Sequence, residues 1–244
     1  MQKISVVVCT KNEEKYIESC LKALKRQIVK PEIIIVDGHS TDNTARIAKK
    51  YADKILKDNK KGLGAARNIG WRAASSDIIA FCDADAKPPR NWTKKILKAF
   101  EHKKVLGISG PLVSYDGDFH LKLAIKTWAN YFPAFLATIG YHNCWGANMA
   151  FRKSTLEKYP FRYKFLEDYD MGERLNKIGG MRFISDIIMP ISSRRFETIF
   201  GFYKVCLVDY IAHVLKAKIT GKRSAGYYAK FKRSNAFSKF LQLR

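Results

Sequence analysis

DIIAFCDADAKP, residues 77–88, decides the fold. Its unbroken apolar core, Ile78 to Cys82, is the pattern of a short strand buried on both faces. Two carboxylates, Asp83 and Asp85, follow it one residue apart. Like charges that close repel, and burying even one is costly unless it is paired or bound to a metal. In a strand-to-loop turn, alternate residues can aim at a shared point, where a hard divalent cation held by oxygens would remove the repulsion. Mg²⁺ takes only one or two carboxylates and completes its shell with substrate phosphates and water, so the pair predicts a metal–diphosphate site. A lone D-x-D also suits a plain surface turn whose acids cap a helix near Asn91.

Upstream, ISVVVC (4–9) and EIIIV (32–36) repeat the buried-strand pattern, and 53–56 reads as a short strand. Between them, 14–26 carries apolar residues at helical spacing (Ile17, Leu21, Leu24), Thr41 to Thr44 offers N-caps for a second helix, and 64–74 is a third. The order β-α-β-α-β-α-β predicts an α/β fold: a mostly parallel central sheet with helices on both faces. In such sheets the ligand lies beyond the carboxyl ends of the strands. Thr10, Asp37 and Asp83 each follow a strand, so three polar side chains converge on one edge.

The second half is less regular. VLGISGPLV (105–113) reads as one strand, WGANMAFR (145–152) as a strand or turn, and 165–178 as a helix opened by Glu167 and Asp168 and closed by Gly179-Gly180. Residues 119–140 are apolar and aromatic, with Pro133 inside. The expected organisation is one larger domain over 1–196, in two halves, to about 90 and over 91–196. A basic, amphipathic helical extension is expected over 197–244.

The chain has 244 residues and a formal charge of +23, from 45 Lys+Arg against 22 Asp+Glu, with 47% hydrophobic residues. That hydrophobic fraction supports a packed core. The charge attracts polyanions, nucleotide phosphates or an anionic membrane, unless it is simply a solvated lysine-rich surface. Cys9, Cys20, Cys82, Cys144 and Cys206 lack metal-ligand spacing and read as reduced thiols in a cytoplasmic protein. Asn12-Glu13-Glu14 comes too early for a signal peptide, and no stretch has the roughly 18 uncharged apolar residues of a membrane span.

Taken in order, VVVCTKNEE, IIIVDGHSTDNT, KGLGAARNIG, IAFCDADAKP, WGANMAFRK and FLEDYDMGERL resemble the family-2 glycosyltransferases of GT-A fold, over roughly residues 4 to 195. The resemblance implies an inverting transferase that moves a sugar from a UDP- or GDP-sugar to a hydroxyl acceptor, a glycan or lipid-linked glycan, with Mg²⁺ or Mn²⁺ as cofactor. By it, Thr10, Asn12 and Glu13 line the nucleotide pocket, and Asp37 accepts from the base, unless it is a turn cap. Arg67 approaches the diphosphate or braces the aspartates, unless it forms a structural ion pair. Asp83 faces the ribose and Asp85 the metal. Asp168 matches the catalytic base, taking the acceptor's proton as the nucleotide leaves. Glu167 and Asp170 would raise its pKa by repulsion; an acid-rich helix N-terminus is the plain alternative. Trp145, Asn148 and Glu167 suit the sugar or acceptor, though Trp145 could equally be core. The family's paired aspartates after the second strand are replaced here by Asp37-Gly38, and its histidine metal ligand by Ser193. Arg194 and Arg195 then stand to neutralise the diphosphate.

A polyprenyl-phosphate sugar transferase is the nearest alternative, but its ionised acceptor needs no base. A nucleic-acid-binding protein would not collect carboxylates where phosphates must lie. Finally, 199–219 is apolar but broken by Lys204, Asp209, His213, Lys216 and Lys218, and basic and aromatic residues follow it. This pattern predicts peripheral attachment to an anionic cytoplasmic membrane face, unless the segment covers the sheet or makes a dimer contact.

Overall fold

A computed structural model describes residues 3–164 and 166–194. Arg195 and the expected extension over 197–244 lie outside the described residues. The described residues form nine strands and eight α-helices, strictly alternating only through the first half. The first four strands are β1 (Ile4–Thr10), β2 (Glu32–Asp37), β3 (Lys54–Lys57) and β4 (Ile78–Phe81), joined by α1 (Ile17–Lys25), α2 (Thr44–Ala48) and α3 (Leu63–Ala73). β1 pairs in parallel with β2 and β4, and β2 with β3. β3 sits at the sheet edge and is mostly exposed, unlike the three buried strands beside it.

Alternation within β1 shows how both faces are covered. Val6 and Val8 pack with Ile17, Leu21 and Leu24 of α1 and with Trp92 and Ile96 of α4 (Trp92–Ala99). Val7, between them, faces Trp71 of α3 and, with Phe81, the helix α8 (Glu167–Asn176) through Met171 and Leu175. A strand with helices on both sides has no polar face, which is why β1, β2 and β4 read as continuous apolar runs. α3 lies close enough that a Cβ on Gly70 would come within 2.3 Å of Val7 Cγ1.

The second half completes the same sheet. Its strands are β5 (Gly107–Ser109), β6 (Leu112–Ser114), β7 (Met149–Arg152), β8 (Met181–Phe183) and β9 (Met189–Ile191). The seven-stranded order is β3-β2-β1-β4-β7-β5-β8, with β7 antiparallel to β4 and β5. The single strand expected over 105–113 is two: Gly110-Pro111 breaks it, and β6 leaves to pair in parallel with β9. Proline cannot donate to a ladder, so the break falls there. The apolar stretch after it is helical: α5 (Phe119–Lys126), a π-helical turn (Thr127–Tyr131) and α6 (Phe132–Thr138), with Pro133 in the first turn of α6 where its missing N–H is harmless. A short α7 (Lys153–Lys158) follows β7. Cys20, Cys82 and Cys144 are free thiols.

Glu32, at the start of β2, ties the edge strand to the core. Its carboxylate accepts from the Ser5 hydroxyl, from Ser75 N–H at 2.8 Å and Oγ–H at 2.9 Å, and from Lys54 Nζ at 2.9 Å. Burial pushes its pKa up, but these donors prevail and hold it at about 2, against an ordinary 4.5. A lowered carboxyl stabilises the fold above its unfolded pKa and loses that contribution as pH falls through the folded one. Glu32→Gln should therefore cost about 2 kcal/mol near neutrality. Urea melts should show the gap to wild type closing between pH 4.5 and about 2. A gap that persists unchanged at low pH would refute this role.

Candidate active site

The strand ends β1, β2 and β4 bring the expected nucleotide residues to one edge. Thr10 closes β1 with its side-chain hydroxyl buried and without a hydrogen-bond partner among the described residues, so a polar atom there awaits a ligand. Asn12 (φ 54°) uses a left-handed conformation that asparagine tolerates. Its Oδ1 accepts from Thr41 N–H at 2.8 Å, and its own N–H donates to Ser40 Oγ at 2.9 Å, so it shapes the loop after β2. Asp37 is fully buried, and its oxygens accept from Lys57 and from Ser40 N–H. Burial pushes its pKa up, but these donors leave it below the ordinary value. A base N–H would have to displace Lys57, whose side chain is otherwise largely exposed.

Asp83 and Asp85 face different arginines. They lie in a turn closed by Ala86 N–H on Asp83 O at 3.1 Å. Arg67 Nη2 stands 4.0 Å from Asp83 Oδ1, while Arg194 donates to Asp85 Oδ2 from Nε at 3.1 Å. The two arginines offset part of the repulsion. Tyr115 anchors the turn by donating to Asp85 O at 3.1 Å. Its own pKa is pushed up to about 12 by burial and by Asp85 and Asp116, so it remains a donor.

Arg67 is the hub. Buried on α3 against the Phe81 and Phe161 rings, it pairs with Glu167 at the head of α8. Burial disfavours its charge, yet Glu167, Asp168 and Asp83 outweigh this and raise its pKa above the ordinary value. The structural ion pair and the bracing of the aspartates are thus one arrangement. Leu166 (φ 53°) enters α8 in a left-handed conformation that a leucine adopts only under constraint, and it turns Glu167 and Asp168 toward this hub. Asp168 Oδ2 accepts from Gly146 N–H at 2.8 Å and Oδ1 from Tyr169 N–H at 2.8 Å. Gly146 has no room for a side chain: a Cβ would lie 2.5 Å from Arg67 Nη2 and 3.0 Å from Asp168 Oδ2. It links Asp168 to the hub, yet its motif drew attention only to Trp145 and Asn148.

Two expectations need correction. Asn148 is not available to a sugar. It is buried, its Oδ1 accepts from Trp92 Nε1 at 2.9 Å, and its Nδ2 donates to Ile187 O at 2.6 Å and Pro111 O at 3.1 Å. It holds the scaffold behind the site. Glu167 is likewise buried on Arg67 and positions it rather than meeting an acceptor. Of the acids beside Asp168, Glu167 pairs with Arg67, and Asp170 with Arg174 at 2.8 Å.

Asp168 and Trp145 line a cavity of about 100 Å³, together with Tyr141, Asn143, Cys144 and Tyr169. Trp145 Nε1 and Asn143 Oδ1 are buried there without partners among the described residues, polar atoms of the kind a bound hydroxyl would satisfy. Among the described residues no group of three or more His, Cys, Asp or Glu could hold a metal. Ser193, which stands where a histidine was expected, instead bonds Asp116. Asp85 still offers hard oxygen in a buried position that already carries a cation, the Arg194 guanidinium. That suits an ion sharing its shell with a diphosphate.

An α/β sheet with carboxylates at its strand ends, facing a helix headed by a second acid site, is the GT-A architecture of nucleotide-sugar transferases. Residues 5–160 match the family described as glycosyl transferase family 2, and the chain belongs to that family. It is 41% identical over 101 residues to the putative glycosyltransferase EpsH of Bacillus subtilis, covering 39% of this chain and 29% of that protein. An uncharacterized glycosyltransferase of Nostoc is 28% identical over 169 residues, 64% of this chain and 52% of its own length. The chain thus spans only part of the curated relatives it matches. Among solved structures, glucosyl-3-phosphoglycerate synthase of Mycobacterium tuberculosis, in complex with Mn²⁺, UDP and glucosyl-3-phosphoglycerate, shares the fold. Its TM-score is 0.59 at 18% identity, over 84% of this chain and 80% of that one. Residues 1–349 of Staphylococcus aureus TarS, in complex with UDP, give 0.60 at 20% identity, over 84% and 63%.

Proposed function

We propose that the protein transfers a sugar, with inversion, from a nucleotide-diphospho-sugar to a hydroxyl on a glycan or lipid-linked glycan. The observation that carries this is the Arg67 hub, which joins Asp83 on the donor side to Glu167 and, through Gly146, to Asp168 on the cavity side. Thr10, Asn12, Glu13 and Asp37 would surround the nucleotide, and Trp145 the transferred sugar or acceptor. Asp168, held by Gly146 N–H, would take the proton from the attacking hydroxyl. A divalent ion on Asp85 and the diphosphate would offset charge growing on the leaving group. UDP or Mn²⁺ in the related structures adds support by analogy of fold. The placement of Asp168 in a cavity wall favours a hydroxyl over a polyprenyl phosphate, which needs no base. Glu13, Asp83, Asp85, Glu167 and Asp168 gather five carboxylates around two arginines, a charge balance that repels nucleic acid. Thermal shifts with UDP, GDP and dTDP, each with and without Mn²⁺, test the donor. One nucleotide should stabilise the protein by mass action, and only with the metal. No shift with any of them would contradict the proposal.

The acceptor reading includes peripheral attachment to an anionic membrane. The tail expected to carry it lies outside the described residues, but α5 and α6 present a second candidate surface. Phe119, Leu123, Phe135 and Ile139 are exposed by 72%, 49%, 63% and 69%, beside exposed Lys122 and Lys126. Apolar side chains set among lysines suit an anionic lipid interface. No helix of the described residues is long and apolar enough to cross a membrane. Phe135→Glu with Ile139→Glu should cut co-sedimentation with anionic vesicles severalfold. Unchanged recovery in the pellet would exclude this surface.

A further inference from the structure

Arg194 occupies an unusual place. Its guanidinium lies on two carboxylates at once: Nε donates to Asp85 Oδ2 at 3.1 Å, while Nη2 stands 3.1 Å from that same oxygen and donates to Glu13 Oε1 at 2.6 Å. The Tyr16 ring supports it from 4.2 Å. Burial disfavours its charge, and Glu13 and Asp85 more than compensate. The segment bearing it is clamped by Asp116, which accepts from Ser192 Oγ–H at 2.6 Å, Ser193 N–H at 2.6 Å and Ser193 Oγ–H at 2.7 Å. Asp116 follows Tyr115, which holds the backbone of Asp85. One short loop therefore fixes both the carboxylate and the arginine that covers it.

We infer that Arg194 is an exchangeable cation: it covers Asp85 in the donor-free protein, yields that carboxylate to a divalent ion, and passes to the donor's diphosphate. The inference rests on the reading of Asp85 as the carboxylate that meets the metal. An oxygen that accepts from Nε with Nη2 also 3.1 Å away is covered by the guanidinium, and a guanidinium beside a divalent ion is repelled. A diphosphate is the natural next partner, because the planar fork of an arginine matches its paired oxygens. The same repulsion would make metal and donor bind synergistically, each needing the other to move the arginine. It would also explain why a serine suffices at 193: the residue holds the arginine's segment in place instead of the metal.

The exchange predicts opposite signs for two affinities. In Arg194→Ala, Mn²⁺ alone should bind the donor-free full chain about tenfold tighter, because a competing cation is gone. UDP at saturating Mn²⁺ should bind about tenfold weaker, because a diphosphate partner is lost. Free-Mn²⁺ electron paramagnetic resonance reads the first and calorimetry the second. A purely structural role would weaken both. Asp116→Asn, which loosens the clamp without removing the arginine, should also tighten Mn²⁺, and it keeps the test open if Arg194→Ala folds poorly. Asp85→Ala should abolish Mn²⁺ binding, leaving the free-ion signal undiminished. Mn²⁺ affinity that is unchanged or weaker in both Arg194→Ala and Asp116→Asn would overturn the exchange. UDP failing to bind wild type would overturn the donor reading instead, while the Mn²⁺ measurements alone decide whether Arg194 competes at Asp85.

Discussion

Asp168→Asn should leave donor affinity unchanged and lower turnover by about 10²–10⁴-fold. The side chain keeps its shape, and its amide oxygen can still accept from Gly146 N–H, so the hub around Arg67 survives. What disappears is the ability to take a proton. A change confined to turnover, with the nucleotide affinity intact, marks loss of a group needed only as the bond to the acceptor forms. Calorimetry with the nucleotide and steady-state rates on one hydroxyl acceptor separate the two. Near-normal turnover would place the base elsewhere, or mean that the acceptor is already ionised.

Arg67→Met should be among the most damaging single substitutions for stability. It leaves Glu167, 3% exposed, without its buried counter-charge. Breaking a buried pair from one side costs about 3–5 kcal/mol, because the remaining charge is neither hydrated nor matched. Adding Glu167→Gln should restore much of the lost stability, since the carboxylate becomes an amide. Activity should not return, because Asp83 and Asp168 still face the site without the cation that now lies between them. Denaturant melts of the two single variants and the double variant check this. Additive losses in the double variant would show that the pair does not couple.

Both effects depend on contacts that span the chain, which is where a sequence reading reaches its limit. β1, β2 and β4 were legible because a strand covered on both faces must be apolar throughout, and α1 because its apolar residues recur at helical spacing. Asp83, Asp85 and Asp168 could be singled out as candidates because each adjoins such an element, although a surface turn or a helix N-terminus also accounts for acids there. The roles of Glu167 and Asn148 were not. An amide in a motif suggests ligand contact until Trp92, Pro111 and Ile187 are known to surround it. Arg67 and Glu167 are 100 residues apart, and Arg194 and Asp85 are 109 apart. No local pattern records such partners. The split of 105–113 was hidden because apolar residues run straight through it. Only the course of β6 toward β9 shows why Gly110-Pro111 must turn.

The account's central claim is that the acids at the strand ends form a metal-assisted nucleotide-diphosphate site. The most direct measurement is calorimetric titration of UDP and of GDP into the full chain with Mn²⁺, with chelator, and with Asp85→Ala. One nucleotide should bind with Mn²⁺, and its affinity should collapse both in chelator and in the variant. Metal-independent binding that Asp85→Ala leaves untouched, or no binding of either nucleotide, would contradict the claim.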